Sequence, residues 1–366
     1  MRLPRPIRLR RTGALSAWFL LALPVGLLLG LLAVNRLLLA DLRGIQETVN
    51  DASALAAAQA LVDDHMLVGD LDPIEAMARL SAQQYADLNP IEGQKLQYVS
   101  PVIVPELDDI LFERVPHPLD PNNTQIVRSV RVFGRNLRSR DAGVKLFGYP
   151  LFPLSRVDLR TSAAGLLDRA VVGMRPLYGR NLPLAPIALE ETTWSLEVES
   201  KLIGSPYNAL PTANHVVGAI QAIPLKIGAA TLNDVATQLS AGVTPGDLAG
   251  APFNGEYVVP PAQTKATPAF LVVADYAPLV PPLQALQASG EARIWPVFSG
   301  LGPDPLVSRF VAARVVSVIG VVDPMTLKTT AINLVLRPTA FASPMVVTDP
   351  AQTAVNLYLS RVRLTP

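Results

Sequence analysis

The chain has no cysteine among its 366 residues. That excludes a disulfide framework, a thiolate zinc site and a thiol nucleophile, so any exported part must be held together by core packing alone. Histidine is scarce: His65, His117 and His215 are the three, and none stands at metal-ligand spacing from another. His65 lies among Asp63, Asp64, Asp70 and Asp72, but no glycine follows where a calcium loop of the EF-hand type needs one. That cluster is expected to be a solvated helix end. There is no Gly-x-x-x-x-Gly-Lys loop, no Gly-x-Ser-x-Gly elbow and no dinucleotide fingerprint. The sequence therefore predicts no catalytic residue, no cofactor site and no metal site. Net charge is +1, falling to about −4 once the five arginines of the N-terminal tail are set aside, which argues against a nucleic-acid partner.

Charge is also missing from Ala14 to Val34, and this absence is the most informative one. A helix of roughly 21 residues is ~31 Å long, about one hydrocarbon core of a bilayer. Arg2, Arg5, Arg8, Arg10 and Arg11 precede it with no acidic residue among them. By the positive-inside tendency residues 1–12 form a cytoplasmic basic tail, 13–40 a transmembrane helix, and the remainder lies outside. A cleaved signal peptide is the alternative. The apolar run is long for that, and Val34-Asn35-Arg36 is no cleavage site. Pro24 in mid-span predicts a kink, since its missing N–H frees a carbonyl. Gly26 and Gly30 form a small-residue step that can let two membrane helices approach.

Beyond the span, Leu42, Ile45, Val49, Ala52 and Ala56 recur at alternating steps of three and four. That is a seam with coiled-coil spacing, and Arg43, Gln46, Glu47, Asn50 and Asp51 lie off it. The helix is expected to continue as a stalk to about Val62, with those five residues as its packing face. Its partner is either another helix or the chain's own domain. A second helix is expected from Asp72 as N-cap, with Pro73 at the first position and Glu75 closing a capping pair, to about Leu88. Stalk and second helix together span 41–94.

Arg11 and Gly13, then Leu23-Pro24, then Asp51-Ala52-Ser53-Ala54-Leu55-Ala56-Ala57-Ala58 make a connected pattern. Over residues 11–61 it resembles the N-terminal region of the bacterial Flp pilus-assembly TadE/TadG-like proteins, most closely the TadG-like branch. Thr12 separates Arg11 from Gly13, and Gln46 is offset by one from the family's position. Five residues after Gly13, where processed pilins of this kind carry glutamate, stands Trp18. No Asp-x-Ser-x-Ser triplet of a von Willebrand A domain occurs. The resemblance implies a single-pass protein of the bacterial cytoplasmic membrane with its C-terminal part periplasmic or extracellular. It implies as partners the lipid bilayer and other pilus-assembly or envelope proteins, with self-association through the stalk as a further possibility.

Of the 34 prolines, all but Pro4, Pro6 and Pro24 fall from Pro73 onward, which favours short strands joined by turns. Strands are expected at Gln97–Ser100, Gln125–Phe133, Thr192–Leu202 and Tyr257–Val259. A long hairpin is expected from Val307–Val322, the turn at Asp323-Pro324-Met325-Thr326, and Leu327–Arg337. Val355–Leu364 should be the last strand. Helices are expected at Ala163–Ala170, Thr231–Ser240 and around Pro281–Ala288. The reading is α+β: a transmembrane helix, a helical stalk and a mainly antiparallel β exterior domain over 95–366, with a possible sub-domain seam near 241–261. On a strand, Glu191, Glu197 and Glu199 would share a solvent face opposite Trp194, Leu196 and Val198. The function expected is that of a non-enzymatic membrane-anchored component of pilus assembly or secretion. The alternatives are a processed minor-pseudopilin-like subunit and a membrane-tethered hydrolase.

Overall fold

The computed structural model describes residues 13–91, 93, 95–99, 108–136, 143–147, 156–177, 179–217, 231–249, 253–259, 265–266, 274–299, 306–352 and 354–365. Two helices come first, α1 (Gly13–Ala60) and α2 (Leu71–Leu88). Strands β1 (Ile110–His117) and β2 (Asp120–Asn136) follow, then the short pair β3 (Val144–Lys145) and β4 (Arg156–Val157). After β5 (Leu159–Asp168), β6 (Val171–Met174) and β7 (Leu189–Glu190) the chain turns helical as α3 (Glu191–Trp194), a π-helical stretch (Ser195–Glu199) and α4 (Ser200–Leu202). Next come β8 (Ala213–Val217), α5 (Leu232–Ala241), β9 (Tyr257–Val258), β10 (Lys265–Ala266) and α6 (Val280–Ser289). The last part is β-rich: β11 (Ala292–Ser299), β12 (Leu306–Val322), β13 (Thr329–Pro338), β14 (Phe341–Ala342), β15 (Val346–Thr348) and β16 (Leu359–Thr365).

These strands form a sheet in the order β1-β2-β5-β16-β14, a second in the order β7-β11-β12-β13-β8, and a small third, β15-β6-β9. Pairing is antiparallel except where β7 meets β11 and β14 meets β16. The class is therefore mixed helix and antiparallel strand behind one long apolar helix. That helix is apolar enough over Trp18–Ala60 to cross a bilayer, with a mean hydropathy of 2.1 in its best window, and it runs unbroken past Pro24.

The second half of α1 lies on the first sheet. Leu42, Gln46, Val49, Asn50, Ser53, Ala54, Ala57, Ala58 and Leu61 are all buried, at helical spacing. Two glycines let the helix down onto the strands. A Cβ at Gly165 of β5 would stand 2.5 Å from the Ala54 carbonyl oxygen and 2.8 Å from the Ala58 Cβ. A Cβ at Gly134 of β2 would stand 2.5 Å from Gln46 Nε2. The polar residues expected off the packing face are thus partly within it. Asn50 donates to Thr161 Oγ1 at 2.6 Å and accepts from the Tyr98 hydroxyl at 3.0 Å.

The same packing explains why 163–170 is not helical. Ala163 and Gly165 belong to β5, where Leu159, Thr161, Ala163, Gly165 and Leu167 alternate inward under α1. Their small side chains serve the approaching helix, and tertiary packing overrides alanine's helix propensity. The reverse error occurs at 192–202, expected as a strand and found as α3, the π-helical stretch and α4. There Trp194, Val198 and Leu202 are buried at steps of four, a helical period overlooked in favour of alternation.

Smaller corrections follow the same logic. Helix α2 begins at Leu71 behind Asp70, with no side-chain cap bond. Glu75 instead takes both ends of the Arg114 guanidinium at 2.8 and 2.9 Å, a stronger partner than a cap. Residues 95–99 are irregular, held by Gln83 Oε1 accepting from Tyr98 N and by Asp109 Oδ2 accepting from Val99 N. Ser100 lies outside the described residues. The last strand starts at Leu359 rather than Val355.

Helix α5 begins behind a full capping box between Thr231 and Asp234, and α6 ends on Gly290 at φ 64°. The hairpin of β12 and β13 turns at Asp323, whose carboxylate accepts from Met325 N and the Thr326 hydroxyl. Residues 242–249 and 253–256 are largely irregular, yet Val243, Leu248, Phe253 and Tyr257 are buried in the main core.

The buried histidines predict a pH dependence. His117 is neutral by its bonding: Nδ1 accepts from Leu119 N at 3.1 Å, leaving Nε2 to donate to the Leu67 carbonyl. Burial first, then the charge of Arg169, pushes it below its ordinary value. His215, 2% exposed against Trp194, is pushed by burial down to about 4, against the opposing pull of Glu197 and Glu190. Both groups bind protons more weakly folded than unfolded. Their stabilisation is complete above the unfolded value near 6.5 and drains away as pH falls below it, for His215 down to about 4. For His215 that is up to about 3 kcal/mol. The urea midpoint of the full-length chain should fall from pH 7 to pH 4.5, and His215→Phe should flatten the slope. A midpoint level across that window would refute the assignment.

Candidate functional site: the open face of helix α1

Each residue of the expected packing face can now be placed. Leu42 and Val49 are buried, at 2% and 4% exposure, by the chain's own residues. Ile45 remains 41% exposed. Ala52 and Ala56 border a groove of about 480 Å³ with Leu55 from α1, Tyr85 from α2, and Pro344 and Val362 from the β14–β16 region. The seam therefore splits. One side of α1 is spent on the domain, and the other stays open, its small and apolar side chains interspersed with Asp41, Thr48 and Gln59. Gly26, Gly30 and Gly44 have nothing within 4 Å of where a Cβ would stand. At 100° per residue, Gly26, Gly30, Gly44, Ala52 and Leu55 all fall on the side away from Gln46, Ser53 and Ala57. One unpartnered stripe thus runs from the apolar half of the helix into the groove.

The cluster expected to be solvated is better tied down than that. His65 stacks on Tyr207 with ring centroids 3.5 Å apart, and its Nδ1 pairs with Asp63 at 2.5 Å. Asp64 accepts from Thr339 Oγ1 and Ala340 N, both at 2.7 Å, and so fastens the end of α1 to the link between β13 and β14. Among the described residues no group of three or more metal-ligating side chains is gathered.

A second polar constellation escaped the sequence reading. Glu199, assigned there to a solvent face, is bonded through both oxygens by Arg309 of β12, at 2.6 and 2.9 Å. Tyr358 and Ser195 hydroxyls also donate to it, at 3.0 and 3.1 Å, and Trp194 Nε1 donates to Tyr358. Glu191 lies 3.5 Å from Arg309 Nε on the rim of a cleft of about 440 Å³. Burial would raise Glu199, but the Arg309 hydrogen bonds and charge, with Tyr358 and Ser195, outweigh it and hold it below the usual carboxylate range. Burial and the Glu199 charge push Tyr358 well above its ordinary value. A carboxylate held ionised with both oxygens engaged is poorly suited to move protons near neutral pH. The group fastens the π-helical stretch to both main sheets, through Arg309 of the second and Tyr358 beside the first. The steps of four at Trp194, Val198 and Leu202 could have shown the helix, but not the distant partners of Glu199.

No protein-family model matches this chain, and no curated protein and no solved structure is found to be similar to it.

Proposed function

We propose that the chain is a membrane-anchored, non-enzymatic component of a bacterial envelope assembly of the Tad/Flp pilus or secretion kind. Its N-terminus lies in the cytoplasm, its β-rich part lies outside, and the open face of α1 is its assembly surface. The observation that carries this reading is the division of one continuous helix. Its first half is exposed and apolar, and its second half is docked on a sheet by one face only. A helix held this way presents its free side at a fixed angle to whatever shares the bilayer. Small residues there favour gain by close packing rather than by charge.

A processed pilin-like subunit is the second reading, favoured by the same bare first half, which neighbouring copies could cover in a fibre. Trp18 at the glutamate position speaks against it. An intact mass that retains Gly13 keeps the anchor reading, whereas a mature N-terminus at Ala14 selects the fibre.

The absence of cysteine makes the assembly surface directly testable. A single Ala56→Cys in membranes should crosslink to a partner helix, while Ala57→Cys, buried against the domain, should not. Adding Ala52→Leu should fill the groove and lower the crosslink yield about tenfold, the equivalent of ~1.4 kcal/mol of lost packing. Equal yields from Ala56→Cys and Ala57→Cys would reduce α1 to a spacer.

A further inference from the structure

A cavity of about 390 Å³ opens among β1, β2, the end of β5 and the segment before β16. Ile126, Leu166 and Val355 give it apolar walls, and Arg128, Arg169 and Arg363 line it against the single carboxylate of Asp168. Arg363 is answered: its Nη2 lies 3.1 Å from Asp168, which also accepts from the Thr348 hydroxyl. Arg169 is not. It is 8% exposed and, among the described residues, its Nε and Nη1 have no hydrogen-bond partner and its Nη2 donates only to the sulfur of Met66. Burial pushes it down to about 10. A buried cation without a counter-charge costs several kcal/mol, and buried polar groups in native proteins are as a rule paired.

We propose that this cavity binds an amphiphilic anion, a small apolar body with a carboxylate or phosphate head, and that Arg169 is the residue that takes the head. The planar guanidinium fork matches the paired oxygens of either group. Nε and Nη1 are closed off from solvent, so binding swings the side chain away from Met66. Sulfur is a weak acceptor, and exchanging it for an oxyanion is favourable. Arg128, its side chain 58% exposed and its nearest carboxylate oxygen, on Glu113, 3.9 Å away, stands at the rim and draws the anion in.

The test uses the full-length chain in a neutral detergent at low salt, with hexanoate and hexyl phosphate as probes and hexanol as the uncharged control. At least one anion should raise the melting temperature and hexanol should not, the better anion naming the head group. Arg169→Met should abolish the shift, weakening binding at least about tenfold, and should itself raise the melting temperature without ligand, since an unpaired buried cation is removed. No shift with either anion, an equal shift with hexanol, or a shift retained by Arg169→Met would overturn the site. If Arg169→Met does not fold, Arg128→Gln at the exposed rim decides. Several-fold weaker binding that also loses salt dependence supports the site, and unchanged binding overturns it.

Discussion

Arg309→Met should destabilise the full-length chain by about 3 kcal/mol, the lower end of the cost of breaking a buried ion pair from one side. The side chain of Glu199 is 11% exposed and that of Arg309 is 32% exposed. The carboxylate, not the guanidinium, is therefore the group stranded by the substitution. It would keep the Tyr358 and Ser195 hydroxyls, but the opposite charge that pays for its burial would be gone. Adding Glu199→Gln should recover about half of the loss. The neutral amide still offers an oxygen to Tyr358 and needs no counter-charge. Urea unfolding of the single and double variants in one detergent gives the coupling directly. Strictly additive losses would mean that the pair is a solvated contact and that the two sheets are joined by apolar packing alone. Because both partners come from regions far apart in the chain, their loss should also raise proteolysis at Lys201, beside the π-helical stretch.

Long elements with one dominant period were legible in the sequence, and elements shaped by a neighbour were not. The apolar run, the continuation of α1, the β12–β13 hairpin and the helices α5 and α6 follow from local pattern, caps and turn chemistry. The failures share one cause. At β5 the small residues that look helical are small because α1 lies on them. At α3, the π-helical stretch and α4, glutamates at alternate positions imitate a half-buried strand. Yet Glu199 points to Arg309 more than a hundred positions away, which no local pattern reveals. On α1 the spacing picked out Leu42, Ile45, Val49, Ala52 and Ala56, but not which of them the domain would bury. That was decided by Gly134 and Gly165, whose role exists only once strand and helix meet. Asn50 and Gln46 lie off the apolar seam by spacing, yet both are buried. The partners that admit Asn50 to the interior, Thr161 and Tyr98, lie 111 and 48 positions away.

The contact between α1 and β5 also yields the sharpest structural test. Gly165→Val should cost about 3 kcal/mol or more, at the top of the range for overpacking. Its first added carbon already falls 2.5 Å from a backbone oxygen of Ala54 and 2.8 Å from the Ala58 methyl, and neither can rotate away. The helix must lift or the strand must bend. Gly134→Ala meets only the amides of Gln46 and Asn50, which can turn aside, and should cost less. Gly30→Ala meets nothing and should leave the melting temperature unchanged. If the ordering Gly165, Gly134, Gly30 holds in thermal unfolding, the docked half of α1 is part of the cooperative fold. The angle at which the apolar half of α1 presents its open face is then set by the sheet. In that case Gly165→Val should also lower the crosslink yield from Ala56→Cys, although residue 165 lies under the helix and cannot touch a partner on the far side. Unfolding at the unsubstituted temperature with an unchanged yield would mean that the helix is only loosely laid on the sheet. The open face would then not take its orientation from the sheet.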